Sequence, residues 1–179
     1  DGSNMNIMSL ISSIRLLDNA YAWYRVHYLK AHDNHPFWSL SFQWNSVKHE
    51  VRQALQQGTY QFQPLDVFDS NNHQRIACWQ PLDAIVLKCM AWVLTPLLKK
   101  HCDLSLASHL KHQGGLKKAV REAQCALNTY QHVYKTDIAD FYGSIPHHLL
   151  HEQCCSLIPD KRVNNLLRQM MNRVHVYQG

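Results

Sequence analysis

The stretch KTDIADFYGSIPHHLL (residues 135–150) carries more information about the fold than any other part of the sequence. The run HVYKTDI (residues 132–138), which overlaps its start, is short and rich in β-forming residues, and so predicts a buried strand. SIP at residues 144–146 then predicts the start of a helix, because proline suits the first helical turn. The pattern therefore places a carboxylate, Asp137, at a strand end, with an aromatic pair shortly after it.

Hydrophobic periodicity on either side of this stretch predicts a chain rich in helices. Gly58 lies where a helix commonly ends, and Pro96 limits the apolar helix that Asp83 opens. We therefore expect an α+β fold, helix-rich with few short strands. The predicted elements are a helix over residues 10–28, a helix between Ser46 and Gly58, two short strands beside a turn at 69–73, helices over 83–94 and 116–130, a helix from Ser144, a helix over 163–174 and a strand that begins at 175.

Composition limits the classes of protein to consider. The chain has 179 residues, 46% of them hydrophobic and 17% charged, which suits one domain with a real core and excludes wholesale disorder or a small disulfide scaffold. The longest apolar stretch, residues 84–98, is shorter than the roughly 20 residues of a membrane span, so we expect a soluble protein. Six cysteines without a CxxC spacing or a preceding signal peptide indicate a reduced cytoplasmic chain, and the net charge of +5 suits an anionic partner.

The stretch at residues 135–150 resembles motif A of reverse transcriptases, especially the bacterial group II intron and retron enzymes. The shared pattern is an aspartate at a strand end, an aromatic pair and then Ser-Ile-x-His. The resemblance implies the fingers and partial palm of a right-hand polymerase fold, belonging to an RNA-directed DNA polymerase. We expect residues 1–8 to be a disordered start left from cloning, whereas the resemblance implies an N-terminal helix and fingers over residues 9–131 and the first part of the palm over residues 132–179.

Three upstream segments are similar to blocks of the same family, in the same order. QALQQGTYQFQP (residues 53–64) resembles the approach to the fingers. QRIACWQPLDAIVLKCM (residues 74–90) resembles the next block, with a basic residue, a proline and an aspartate that opens an apolar helix. SHLKHQGGLKKAVREA (residues 108–123) lies where the second fingers block would be, although Lys111 replaces the usual arginine and the glycine pair comes several residues later.

The resemblance also implies roles for the residues of the central stretch. Asp137, with Ile138 beside it, would hold the two divalent cations of nucleotidyl transfer, Mg²⁺ or in its place Mn²⁺. Hard oxygen ligands such as a carboxylate suit these ions. Tyr142 would lie against the incoming sugar and select deoxynucleotides, and Phe141 would pack inward. Asp140 would offer its backbone N–H to the triphosphate.

Basic residues complete the implied site. Arg75 and Lys111 would bind the triphosphate, because a guanidinium offers two parallel hydrogen bonds and an ammonium offers a point charge. The implied partners are an RNA template, a DNA or RNA primer and deoxynucleoside triphosphates, with no membrane. A further basic set would follow the template–primer backbone: Lys99, Lys100, Lys117, Lys118 and Arg121.

Other interpretations of these residues stay open. Asp137 alone could cap a strand-to-helix turn, and exposed lysines are common on any helix. The Tyr-x-Asp-Asp hairpin that supplies the other carboxylates is missing from these 179 residues, so we expect the fragment to be inactive alone. A non-catalytic nucleic-acid-binding module on the same architecture is the alternative. A metal-binding helical regulator is a third, since His147, His151 and Cys155 recur at one-turn spacing, although no known zinc spacing matches.

Overall fold

The computed structural model of the chain describes residues 6–28, 36–69, 75–101 and 114–177. By its contacts the chain divides into a first unit, residues 1–94 with 147–179, and a second unit, residues 95–146. Neither limit of the second unit coincides with the boundary between residues 131 and 132 that the resemblance implies. The boundary between fingers and palm therefore stays a prediction.

Within the described ranges the chain forms eight helices and three strands, in agreement with the helix-rich α+β class that the sequence predicts. The two short strands predicted on either side of residues 69–73 and the strand that begins at 175 are confirmed. The helices are α1 (Ile7–Ile11), α2 (Ile14–Tyr28), α3 (Pro36–Gln57), α4 (Pro81–Lys99), α5 (Gly115–Ala126), α6 (Phe141–Ser144), α7 (His147–Leu157) and α8 (Lys161–Met171). The strands are β1 (Leu65–Asp69), β2 (Arg75–Cys78) and β3 (His175–Tyr177).

The folded part of the chain begins earlier than predicted. Asn6 caps α1, because its side-chain oxygen accepts a hydrogen bond of 3.1 Å from the backbone N–H of Ser9. Ile7 and Met8 are buried in the first unit. The expectation of a disordered start over residues 1–8 is therefore wrong for residues 6–8, since Asn6 caps the helix and the apolar side chains of Ile7 and Met8 belong to the core.

Two helices are longer than the sequence predicts. α3 begins at Pro36 rather than after Ser46, since proline suits a first helical turn and Phe37 is buried. Ser46 does not cap the helix; its hydroxyl donates to the carbonyl of Gln43 within it. α4 continues past Pro96 to Lys99, which shows that the missing N–H of one proline does not end this helix.

The three strands form one small mixed sheet in the order β2-β1-β3. β1 pairs antiparallel with β2, with Val67 opposite Ala77, and parallel with β3, with Val67 opposite Tyr177. Leu65 and Val67 of the central strand are buried. The sheet thereby joins the segment that follows α3 to the segment that follows α8.

The core of the first unit lies between α1, α2, α3, α4 and α8 and the buried face of β1. Burial of apolar side chains is the main favourable term in folding, at about 25 cal/mol per Å². The largest fully buried apolar side chains of this unit are Met8, Ile11, Leu17, Phe37, Leu55, Ile85, Val86, Cys89, Ile158 and Val163.

A polar cluster at the start of α8 ties this helix to α1 and α3. The carboxylate of Asp160 accepts hydrogen bonds from the backbone N–H of Met8 (3.2 Å) and from the backbone and guanidinium of Arg162. Arg162 also donates to the carbonyl of Gln56 at the end of α3 (3.0 Å). Although partial burial opposes it, these hydrogen bonds and the positive charge hold the pKa of Asp160 below its usual value.

α4 spans 19 residues and has the length and apolarity that a membrane span requires, with a mean hydropathy of 1.5 over an 18-residue window. On its own this is weak evidence for membrane crossing, because the core helix of a soluble protein passes the same test. Ile85, Val86, Cys89 and Leu94 of α4 are buried inside the first unit. A soluble protein is compatible with this arrangement.

Candidate functional site

Asp137 lies in an irregular segment between α5 and α6 in the second unit. Its carboxylate is exposed and accepts a hydrogen bond of 3.0 Å from the N–H of the next residue, Ile138. The predicted buried strand over residues 132–138 is wrong, since these residues are exposed and form no strand. A strand needs neighbours that pair with its backbone, and no described strand pairs with this segment.

The backbone turns sharply after Asp137. Asp140 has a positive φ of 48°, a left-handed conformation that Asp adopts more readily than most residues. Its carbonyl accepts a 2.9 Å hydrogen bond from the N–H of Ser144, which closes α6. The Asp140 carboxylate lies close against Gly143, where an added Cβ would collide with it. Gly143 therefore allows the Asp140 side chain to fold onto α6.

The aromatic pair falls on α6. The prediction that Phe141 packs inward is wrong in the described structure, because 48% of its surface is exposed. α5, in the same unit, likewise buries none of its residues. Tyr142 lies in the same short helix, and its role against the sugar stays a prediction.

Arg75 is the first residue of β2, in the first unit. Its Nε lies 3.9 Å from the carboxylate of Asp69 across the hairpin, and both side chains are exposed. The Arg75 guanidinium also lies over the ring of Tyr177 of β3, 5.4 Å from the centroid. Lys111, the other predicted triphosphate ligand, lies outside the described residues.

The predicted template–primer set lies in the second unit. Lys99 ends α4 and Lys100 follows it, whereas the other three members lie on α5. Lys118 pairs with Glu122 one turn later, at 3.6 Å. α5 also exposes apolar side chains, such as Leu116 at 78% of its surface. Basic and apolar side chains of this helix are thus both accessible in the described part of the unit.

The described residues contain no group of three or more histidine, cysteine or acidic side chains that could hold a metal ion. The nearest approach to the zinc alternative is a pair on α7, in which Cys155 Sγ lies 3.7 Å from His151 Nε2. His151 Nε2 also lies 2.9 Å from the carbonyl oxygen of Asn164, so this nitrogen carries the proton and is not a metal ligand. The described residues therefore do not support a zinc site.

Sequence reasoning missed a buried polar cluster in the first unit. The phenol of Tyr60 donates a 2.6 Å hydrogen bond to Asp83 Oδ1, and the backbone N–H of Gln63 donates to Asp83 Oδ2 (2.8 Å). Burial raises the pKa of both Asp83 and Tyr60. The sequence does show an aspartate that opens an apolar helix and a tyrosine just after a helix-ending glycine. Neither feature predicts that the two side chains are hydrogen-bonded to each other.

The fold and these sites define the class of protein only coarsely: a helix-rich α+β chain with a small mixed sheet. Comparison with known protein families and with curated proteins finds no match for this chain. A more specific function must therefore be argued from the residues themselves.

Proposed function

We propose that the chain is the fingers and first palm segment of an RNA-directed DNA polymerase of the group II intron and retron type. Its substrates are deoxynucleoside triphosphates, an RNA template and a DNA or RNA primer. The observation that carries the proposal is the stretch at residues 135–150, in which an exposed carboxylate, Asp137, precedes a turn, the aromatic pair of α6 and then α7. An accessible carboxylate beside a turn is available to a metal-bound nucleotide.

Contacts in the first unit support the proposal. The segments 53–64 and 74–90, which separately resemble consecutive blocks of the family, meet through the hydrogen bond from Tyr60 to Asp83. The second segment also carries Arg75 at the start of an exposed strand. A fingers hairpin that presents an arginine to a triphosphate requires such an accessible guanidinium.

Asp137 is a fitting ligand for Mg²⁺. Its carboxylate is exposed, and only one of its oxygens accepts a hydrogen bond from a described residue, the N–H of Ile138. The carbonyl of Ile138 is a second hard oxygen donor next to it. When bound, two such ions lower the pKa of the attacking 3′-hydroxyl and stabilise the leaving pyrophosphate. One carboxylate cannot hold both ions, so the proposed activity needs further carboxylates from the intact polypeptide.

Primer extension by the intact polypeptide tests the proposal. We expect Asp137→Asn to abolish incorporation of deoxynucleotides on an RNA template, because the amide carries no charge to hold the cation. The matched control is Glu50→Gln, which removes an exposed carboxylate of α3 in the first unit and leaves incorporation largely intact. Thermal unfolding of both variants establishes that each one folds. Full incorporation by Asp137→Asn would contradict the assignment.

A non-catalytic nucleic-acid-binding module is the second candidate. The exposed Lys117 and Arg121 of α5 favour it, since cations on an accessible helix bind phosphates without any chemistry. Such a protein binds RNA with strong salt dependence and extends no primer even as the intact polypeptide.

We place either protein in the cytoplasm, which the five free cysteines among the described residues support.

A further inference from the structure

A pocket of about 290 Å³ lies in the first unit between residues 61–64 and the end of α8. Phe62 and Trp79 form its aromatic wall, with ring centroids 5.5 Å apart and planes inclined by 59°. Arg168 and Arg173 add two cations, and none of the described residues that line the pocket is acidic. The pocket shares no residue with the polymerase site proposed above.

Hydrogen bonds fix the backbone of the segment that carries Phe62 to α8. The side-chain oxygen of Gln169 accepts from the backbone N–H of Phe62 (3.0 Å), and its amide nitrogen donates to the carbonyl of Tyr60 (3.2 Å). The residue after Phe62, Gln63, donates its N–H to the buried carboxylate of Asp83. The extended segment is thus fixed at both ends, so the pocket is already formed before a ligand binds.

Its chemistry matches one class of ligand. Half-buried aromatic rings bind nucleobases by stacking, whatever the base, and guanidinium groups bind phosphate. Nη2 of Arg168 is oriented by a 2.9 Å hydrogen bond to Asn165 Oδ1. The uncharged amides of Gln61 and Asn172 also line the pocket and can pair with base edges. Its volume is near the lower limit of ligand sites, about 300 Å³, which suits one small ligand rather than a longer segment.

We infer that this pocket binds one nucleotide of a single-stranded nucleic acid. The base lies against Phe62 and Trp79, and the adjoining phosphate is bound by Arg168 and Arg173. The inference rests on the proposed function for the choice of nucleic acid over other anions. It adds a contact with a single strand at a place where the sequence resemblance implies none.

Photochemical cross-linking tests the location directly. The probe is a ten-residue oligothymidylate that carries 5-iodouracil at one central position, irradiated with the 179-residue chain. Since this base cross-links to aromatic rings on which it stacks, we expect peptide mapping to find the adduct at Phe62 or Trp79. Adducts confined to other residues, or an acidic peptide that displaces the oligonucleotide at equal concentration, would overturn the inference.

Salt-dependent binding of the same oligonucleotide, followed by fluorescence anisotropy, tests the phosphate contacts. We expect the double variant Arg168→Gln with Arg173→Gln to lose at least tenfold in affinity. The slope of log affinity against log salt should fall by about 0.7, since the two arginines bind a single phosphate and each phosphate neutralised on a single strand contributes about 0.7. The matched control is Arg25→Gln with Arg52→Gln, two exposed arginines of α2 and α3. An equal loss in both variants would show an effect of net charge alone and contradict a site at the pocket.

These outcomes are separable from failure of the proposed function. If the intact polypeptide extends no primer but this chain cross-links at Phe62 or Trp79, the nucleotide site stands and the proposed polymerase function is rejected. If primer extension depends on Asp137 but no adduct forms at the pocket, the proposed polymerase function stands and the nucleotide site is rejected.

Discussion

Tyr60 and Asp83 are joined by a hydrogen bond of 2.6 Å in the interior of the first unit, where the aspartate is only 1% exposed. Desolvation by burial raises the pKa of Asp83, whereas the hydrogen bonds from Tyr60 and from the N–H of Gln63 partly offset that rise. The pair fixes the extended segment after α3 to the first turn of α4. It therefore positions both the β-hairpin that carries Arg75 and the wall of the nucleotide pocket.

Removing the phenol tests how much this pair stabilises the fold. We expect Tyr60→Phe to lower the free energy of unfolding by about 1.5–3 kcal/mol, because a buried carboxylate loses one of its two donors. The loss of the donor also raises the pKa of Asp83 further. Urea unfolding at neutral pH measures the change in stability.

Tyr21→Phe is the matched control for that measurement. The phenol of Tyr21 also makes a hydrogen bond, of 2.8 Å, but its partner is the neutral hydroxyl of Ser41 in a partly buried place. We expect this variant to lose only about 0.5–1.5 kcal/mol. Equal losses in the two variants would show that the charge and burial of Asp83 add nothing.

The lowered pKa of Asp160 predicts a loss of stability in acid. A carboxyl group whose pKa is lower in the folded state than in the unfolded state stabilises the fold fully at pH values above its unfolded pKa, which is close to 3.8. That contribution is lost as the pH falls through the folded pKa. Asp160→Asn removes the charge but keeps an acceptor at the helix cap. We expect the variant to be about 1–2 kcal/mol less stable at pH 7, and the difference to shrink as the pH falls below 3.8.

Urea unfolding at pH 7 and at pH 3 measures the loss of stability in Asp160→Asn and its dependence on pH. Asp18→Asn is the comparison. Although partial burial opposes it, the hydrogen bonds from Trp44 and Lys48 also lower the pKa of Asp18, whose side chain is more exposed than that of Asp160. Its effect should have the same sign and a smaller size. A difference between the wild type and Asp160→Asn that stays constant from pH 7 to pH 3 would rule out the ionised carboxylate as its source.

How much of this structure the sequence could predict depends on the range of the interactions involved. α8 was predicted within a few residues because the periodic apolar face that includes Val163 and Leu167 is local information. The strand predicted over residues 132–138 failed because a strand depends on a partner that propensity cannot supply. The β-forming residues are present, but no described strand pairs with them.

The candidate sites, too, could be predicted only where they depend on residues close together in the sequence. A pattern of side chains identified Asp137 and Arg75 as candidates, yet nothing local showed that Arg75 lies over the ring of Tyr177. The nucleotide pocket was missed altogether, because Phe62 and Gln169 are brought together from positions 107 residues apart. Contacts at that separation are decided by packing of the whole unit, which no single segment encodes.

Gly58 provides a test of backbone strain at the end of α3. It has a φ of +73°, and a Cβ built there would lie 3.1 Å from Cγ of Arg162, the arginine that joins α8 to α3. We expect Gly58→Ala to lower the free energy of unfolding by about 1–2 kcal/mol, because alanine is strained in the left-handed backbone conformation. The loss is larger if Arg162 must move to make room for the added carbon. Gly115→Ala is the control, since its φ is +61° but nothing lies within 4 Å of the added carbon. A smaller loss at Gly58 than at Gly115 would contradict the close approach of Arg162.

Tyr142 tests the substrate preference of the proposed polymerase. If its ring lies against the sugar of the incoming nucleotide, Tyr142→Ala opens space for a 2′-hydroxyl. We expect the preference for deoxynucleotides over ribonucleotides to fall by at least about 10-fold in the intact polypeptide, which is the lower end of the discrimination that a single methylene gives in an apolar pocket. Tyr142→Phe keeps the ring and should keep the preference. The ratio of kcat/KM for the two nucleotides in primer extension measures it, and an active Tyr142→Ala variant with an unchanged ratio would show that another residue excludes the 2′-hydroxyl.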